Sequence, residues 1–253
     1  MLIDTHAHLN LPPLYDHWLE VLDQAEAAGV KRVIVPGVTT ETSRIAVELS
    51  KKDVRIFAAV GIHPESAGEH TNNLKNLALN RRVVAVGECG LDYFRGNENR
   101  ELQIELFRTH IELAGELKLP LIIHTRTSEA MRDAVTILKK YPLVQLVFHC
   151  FSGDLSFWKE IESLGALVGI GGMITYPKNE ALRDTVRHIP LERIILETDA
   201  PWLPPQPLRG QINTPQNVTI AACKLAEIKE VQLSEVLEIT GSNASRLFPF
   251  HQS

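Results

Sequence analysis

Eight short apolar runs recur along this chain of 253 residues, and each is followed by a helix-like stretch. The runs are mostly continuous rather than alternating, as in strands buried on both faces of a parallel sheet. They predict strands at residues 2–5, 32–36, 55–60, 83–87, 119–124, 144–149, 166–170 and 193–197. Helical periodicity predicts helices at residues 16–28, 99–117, 127–140, 155–163, 180–188, 215–228 and 233–248.

The alternation of strands and helices predicts an α/β fold, a closed TIM-type (β/α)₈ barrel. A doubly wound open sheet shares this alternation and is the alternative. Because the chain contains no linker, internal repeat or low-complexity tract, we expect a single domain over residues 1–253. The proline-rich stretch at residues 201–215 follows the last strand and is interpreted as an active-site loop.

Composition and charge narrow the class of protein. With 44% hydrophobic and 23% charged residues, the chain is of ordinary globular type. Its net charge of −5 provides no global basic field, so a nucleic-acid substrate would need locally concentrated positive charge. Three cysteines without a CxxC pair argue against a disulfide framework. Without a signal-like segment or a run of membrane-spanning length, we expect a soluble, cytoplasmic protein with no membrane partner and no obligate protein partner.

Histidines mark the predicted strand ends. Five of the ten lie at or just past the carboxyl end of a predicted strand, which in a barrel carries the active site: His6, His8, His63, His124 and His149. His6 and His8 share one strand face, and Asp4 has the same parity and is a candidate to orient one ring. The other five are expected to be solvent-exposed in helices, loops or the tail: His17, His70, His110, His188 and His251.

Two carboxylates complete the pattern. Glu88 and Asp199 each follow an apolar run, where a buried charge is costly unless it is paired or binds a metal. Taken singly, each feature has a simpler interpretation. Glu88 could pair with Arg95 or Arg126, Asp199 could form a turn, and the histidines could be neutral core residues. Glu197 shares the strand parity of Asp199 and is placed behind it.

Together, these residues indicate a metal site. Six ligands exceed the number that one zinc ion takes, so two divalent cations that share Glu88 fit better. The mixed nitrogen and oxygen donors suit Zn²⁺, Mn²⁺ or Fe²⁺ better than Mg²⁺, which stays a candidate. The predicted metal ligands are His6, His8, Glu88, His124, His149 and Asp199.

The ordered segments IDTHAHL, GIHPE, VGECGLDYF, PLIIHTR, HCFSG, ETDAPWL and RGQINTP resemble the TatD family of metal-dependent deoxyribonucleases over essentially the whole chain, and residues 169–177 resemble its YjjV-like branch. The resemblance implies a two-metal barrel that hydrolyses DNA phosphodiester bonds, often from the 3′ end. One cation would be held by His6, His8, Glu88 and Asp199, and the second by Glu88, His124 and His149. Cys89 stands where the family commonly has an aliphatic residue.

The expected reaction is attack by a metal-activated water on single-stranded DNA or a small phosphoester. Asp199 and Glu88 are the predicted catalytic residues, and Asp199 would accept the proton of the nucleophile. His63, Arg126 and Arg209 are candidates to bind substrate phosphates. Two alternatives stay open: a binuclear hydrolase of small esters, amides or phosphates, and a metal-binding protein without catalysis.

Overall fold

The computed structural model describes residues 1–69, 71, 73–96, 98–142 and 144–250. Eight strands follow one another in chain order in one parallel sheet, with helices between them, so the fold is a TIM-type (β/α)₈ barrel and the doubly wound alternative is wrong. All eight predicted strands are confirmed. Their bounds are β1 Leu2–Asp4, β2 Val30–Pro36, β3 Ile56–Val60, β4 Val83–Asp92, β5 Leu121–Arg126, β6 Leu146–Phe148, β7 Leu167–Ile170 and β8 Ile194–Leu196.

The seven predicted helices are also confirmed, with ends that differ by a few residues. The helices are α1 Trp18–Ala27, α2 Thr40–Lys52, α3 Leu74–Ala78, α4 Arg100–Leu117, α5 Ser128–Leu138, α6 Leu155–Glu162, α7 Glu180–His188, α8 Val218–Lys229 and α9 Leu233–Leu247. Helix α2, to which the periodicity gave no bounds, begins with a capping box between Thr39 and Thr42. In the described part of the chain, no helix combines the length and apolar character that crossing a membrane requires.

The chain groups into two compact units. The first unit comprises Met1–Val35, His149–Trp158 and Leu167–Leu247, and the second comprises Pro36–Phe148, Lys159–Ala166 and the residues from Phe248 onward. A single domain over the whole chain stays a prediction.

In the first unit, short strands bring the two ends of the barrel sheet together. β1 pairs with β2, and β7 pairs with β8, both in parallel. The backbone N–H of Thr5 donates to the carbonyl of Leu196 at 3.0 Å, and Ala7 forms an isolated parallel bridge with Ala200. The segments that follow β1 and β8 therefore run side by side beyond the strand ends.

In the second unit, β4 is longer than predicted. It runs through Asp92, so Glu88 lies within a strand that is buried along its full length rather than after its end. The register pairs Gly90 with His124 and Asp92 with Arg126 on β5. A Cβ atom on Gly90, whose φ is +139°, would lie 2.0 Å from the carbonyl oxygen of His124, so only glycine allows this close approach.

Candidate metal centre

The first unit gathers His6, His8 and Asp199 just beyond the ends of β1 and β8. The Nε2 atoms of His6 and His8 lie 3.1 Å apart, and Asp199 Oδ1 lies 3.8 and 3.6 Å from them, respectively. Four ligands at about 2.0–2.1 Å from a tetrahedral zinc ion are separated from one another by about 3.4 Å. The spacing of these three donor atoms therefore fits coordination of one divalent cation.

His149 joins the same cluster. Its ring stacks on that of His6 with centroids 4.1 Å apart, and ligand atoms of His6, His149 and Asp199 all lie within 4.8 Å of one another. Burial raises the pKa of the Asp199 carboxyl, but its hydrogen bond with His8 and the nearby His149 and His6 outweigh that effect. The pKa is therefore lowered, and the ionised, ligating form of the carboxylate is favoured.

Asp4 ties the two strand ends of this cluster together. Its Oδ1 accepts hydrogen bonds from the backbone N–H groups of His6 at 3.2 Å and Thr198 at 3.0 Å. Its Oδ2 accepts the Thr198 hydroxyl at 2.6 Å. The hydrogen bonds of Asp4 thus position backbone rather than an imidazole ring, and the prediction that it orients a histidine is wrong.

Glu197 contacts His149 rather than standing behind Asp199. Its Oε1 lies 3.8 Å from His149 Nδ1 and also accepts the backbone N–H of Cys150. A Cβ atom on Gly169 would lie 2.1 Å from Glu197 Oε2, so this glycine leaves the space that the carboxylate occupies. At 3.8 Å the carboxylate oxygen lies beyond hydrogen-bonding distance of Nδ1, so it is an electrostatic neighbour of the His149 ring.

The second unit brings Glu88 and His124 together. Glu88 Oε1 lies 3.1 Å from His124 Nδ1 and 3.5 Å from His63 Nε2. The alternative of an arginine partner for Glu88 is wrong, since Arg95 pairs with Glu65 at 3.0 Å and the Arg126 guanidinium lies over the Phe94 ring. An almost fully buried carboxylate surrounded by imidazoles is suited to share a cation with them.

Asp92 was not predicted, yet it contacts the other side of the His124 ring. Its Oδ2 lies 3.0 Å from His124 Nε2, and its Oδ1 accepts the Phe94 N–H at 2.9 Å. Buried Gln103 accepts the Asp92 N–H at 2.8 Å and donates to its carbonyl at 2.9 Å. Burial raises the pKa of Asp92, but hydrogen bonds from His124 and Phe94 outweigh it and lower the pKa. An ionised Asp92 can only accept a hydrogen bond, so it holds a proton on His124 Nε2 and leaves Nδ1 as the ring nitrogen that faces Glu88.

His63 is held in a different tautomer. Its Nδ1 accepts the backbone N–H of Glu65 at 3.2 Å, so a neutral ring carries its proton on Nε2, the atom that faces Glu88. The ring also packs edge-on against His124, with centroids 4.4 Å apart. In this tautomer His63 is a hydrogen-bond donor, and its ligand atoms also lie within 4.8 Å of those of Asp92 and His124.

His110 corrects another expectation, because it is buried rather than solvent-exposed. Its Nδ1–H donates to the Leu106 carbonyl at 2.8 Å, and its Nε2 accepts the Ile62 N–H at 3.0 Å. Burial lowers its pKa to about 4, so it is a neutral core residue at neutral pH. His17 and His188 are exposed as expected, and His70 and His251 lie outside the described residues.

The loop after β8 presents aromatic and basic side chains near the first cluster. The backbone N–H of Trp202 donates to the Asp199 carbonyl at 2.9 Å, and the indole, 48% exposed, lies edge-on to His8 at 4.9 Å. Arg209 is exposed with its guanidinium 4.8 Å from the centre of the Tyr176 ring. Burial raises the pKa of the Tyr176 hydroxyl, Arg209 lowers it, and Asp199 is near enough to contribute to the rise. The Arg209–Tyr176 pair therefore lies near the first cluster.

Comparisons with known proteins identify the family of the chain. The family model of TatD related DNase matches residues 3–249. The uncharacterized metal-dependent hydrolase YabD of Bacillus subtilis is 39% identical over 254 residues, which cover 98% of this chain and 99% of YabD. The crystal structure of the TatD homologue YjjV from Escherichia coli aligns with a TM-score of 0.92 at 32% identity, over 98% of each chain.

A more distant barrel shows the fold alone. The phosphotriesterase homology protein of Escherichia coli, whose structure holds phosphate in its active site, aligns with a TM-score of 0.68 at 15% identity, over 99% of this chain and 98% of that protein. The family match spans nearly every described element, and YabD and YjjV align along almost their full lengths. The chain therefore belongs to the TatD family of metal-dependent hydrolases.

Proposed function

We propose that this protein is a deoxyribonuclease that hydrolyses phosphodiester bonds of single-stranded DNA from the 3′ end, with two divalent cations bound by strand-end histidines and carboxylates. The observation that carries the proposal is the donor geometry of the first unit, where His6, His8 and Asp199 place three ligand atoms 3.1–3.8 Å apart. This spacing fits a metal ion better than a purely structural hydrogen-bond network.

The proposed ligand sets follow the family pattern. One cation takes His6, His8, Glu88 and Asp199, and the second takes Glu88, His124 and His149. The donors fit these roles chemically, since Nδ1 of His124 faces Glu88 Oε1 at 3.1 Å while Asp92 accepts from Nε2. A lone pair and a carboxylate oxygen at that distance repel each other unless a cation or a proton lies between them.

When bound, the cations supply a water of lowered pKa and stabilise negative charge at the phosphate. Asp199, kept ionised by its histidine neighbours, would bind a cation and accept a proton from an attacking water. His63 donates from Nε2 to a phosphate oxygen. Arg126 and Arg209 bind phosphates through their planar guanidinium groups.

One alternative keeps the site and changes the substrate to a small ester, amide or phosphate. Its specific support is the net charge of −5, which gives no long-range attraction for a polyanion. A related observation is that the distant barrels are named for other reactions, although they share the fold alone. A non-catalytic metal protein is less well supported, because a structural site does not need this many ligands.

The test is hydrolysis of 3′-labelled and 5′-labelled single-stranded oligonucleotides by metal-reconstituted protein. Asp199→Asn should retain the fold and lose cleavage by at least about 100-fold, because the ligand and proton acceptor is removed. Asp184→Asn is the matched control, since Asp184 is an exposed partner of Arg187 on α7. Stepwise shortening from the 3′ end supports the proposal, whereas metal-loaded protein that cleaves only small esters would support the alternative.

A further inference from the structure

Arginine–aromatic contacts in this protein are of two kinds. The Arg82 guanidinium lies 3.9 Å from the centre of the Phe57 ring, but it also donates to backbone carbonyls of Ser50 at 3.1 Å and Val54 at 2.7 Å. Phe57 is buried. This contact is explained by folding, because the cation satisfies carbonyl groups and the ring fills the core.

The contact between Arg126 and Phe94 has no such explanation. The guanidinium lies 3.7 Å from the ring centre, Arg126 is exposed, and Phe94 is 62% exposed. Among the described residues, the Arg126 side chain has neither an acidic salt-bridge partner nor a carbonyl acceptor. Because both side chains are exposed, N–H groups of the guanidinium stay accessible to an anion, and the ring face away from Arg126 stays accessible to another planar group.

This pair lies next to the ligands of the second unit. Arg126 is two residues after His124 on β5 and is paired in register with Asp92, while Phe94 donates its N–H to Asp92. The positive charge of Arg126 also contributes to lowering the pKa of Asp92. The Arg126–Phe94 pair is therefore fixed to the same strand ends that position His124.

We infer that Arg126 and Phe94 form a nucleotide-binding platform, in which Arg126 binds a phosphate and the exposed face of Phe94 stacks on a base of a single-stranded polynucleotide. The inference rests on the proposed function and deepens it, because a base contact favours a polynucleotide over a small ester. Aromatic stacking tolerates any base, so the platform would add affinity without sequence preference.

The experiment distinguishes the contribution of the bases to binding from that of the phosphates. Fluorescence anisotropy in EDTA measures binding of an oligothymidylate and of an abasic oligomer of the same length, which has the same phosphates without bases. The variants are Phe94→Ala and Arg126→Gln, and the control is Leu79→Ala, which truncates another exposed apolar side chain of the second unit. Circular dichroism of each variant verifies the fold.

The wild-type protein should prefer the oligothymidylate, and Phe94→Ala should remove this preference by weakening oligothymidylate binding about 5- to 150-fold with little change for the abasic oligomer. Arg126→Gln should weaken both ligands by a similar factor. The platform is refuted if the wild-type protein does not prefer bases, or if Phe94→Ala affects both ligands equally or neither. Failure of the wild-type protein to cleave DNA is a separate result that refutes the proposed function.

Discussion

Asp92→Asn is the substitution that most directly tests how the ligand cluster of the second unit is positioned. In the wild-type protein, the Asp92 carboxylate can only accept from His124 Nε2, at 3.0 Å, so Nε2 carries a proton and Nδ1 is the ring nitrogen left to bind a cation on the Glu88 side. Asparagine has nearly the same shape but can donate from its amide group. It therefore also stabilises the tautomer that carries a proton on Nδ1, where the metal should bind.

The expected loss of metal affinity follows from the role of such carboxylates at metal sites. Removing a group that orients a ligating histidine typically weakens metal affinity about 10- to 100-fold, or about 1.4–2.7 kcal/mol. The carbonyl and N–H of residue 92 remain held by Gln103, so the backbone should not move. The loss should therefore appear in metal binding rather than in folding.

Isothermal titration of metal-free protein with Mn²⁺ or Zn²⁺ measures the affinity, and ¹⁵N NMR of labelled histidine reports the His124 tautomer. Asp133→Asn is the control, because Asp133 is a partly buried carboxylate that accepts the Tyr93 hydroxyl and pairs with Arg100, away from the ligands. Unchanged metal affinity together with an unchanged tautomer in Asp92→Asn would show that Asp92 does not position His124.

Two further predictions concern stability. His110 is buried with a pKa of about 4, so between about pH 6.5 and 4 its imidazole is protonated in the unfolded chain but not in the folded chain. The free energy of unfolding should therefore decrease by on the order of 3 kcal/mol as the pH is lowered through this range. Urea unfolding at several pH values should show this pH dependence of the free energy of unfolding in the wild-type protein and a weaker one in His110→Gln. An equal pH dependence in both proteins would contradict the role of His110. Gly90→Ala places a methyl group 2.0 Å from the His124 carbonyl and should destabilise the protein by several kcal/mol, as thermal unfolding can measure. Gly68→Ala, at φ +116° with no atom within 4 Å, should cost only the backbone strain, and a similar loss in both variants would refute the clash.

The barrel was predictable from sequence because most residues of the eight strands are buried. Buried parallel strands give nearly continuous apolar runs, and their spacing by helices leaves few other topologies. Strand ends were less predictable. The run at residues 83–87 stops at Gly87, but β4 continues to Asp92 because its glycines allow close approach to β5.

The same error in the bounds of β4 explains why Asp92 was missed. With the strand ended at residue 87, Asp92 counts as a loop residue, whereas in the longer strand it shares a face with Glu88. The burial of His110 was missed for a related reason. It lies in α4, and its partner Ile62 is 48 residues away in sequence, so no local pattern indicates that contact.

Positive charge in this protein acts locally rather than over long range. The chain carries a net charge of −5, yet each unit places an exposed arginine on an aromatic ring beside its ligand cluster: Arg209 on Tyr176 and Arg126 on Phe94. Such charges attract a phosphate only within about 10 Å at moderate salt, so they add affinity after the substrate arrives. The net charge therefore gives no long-range attraction for a polyanion, and any phosphate contact would depend on local groups of this kind.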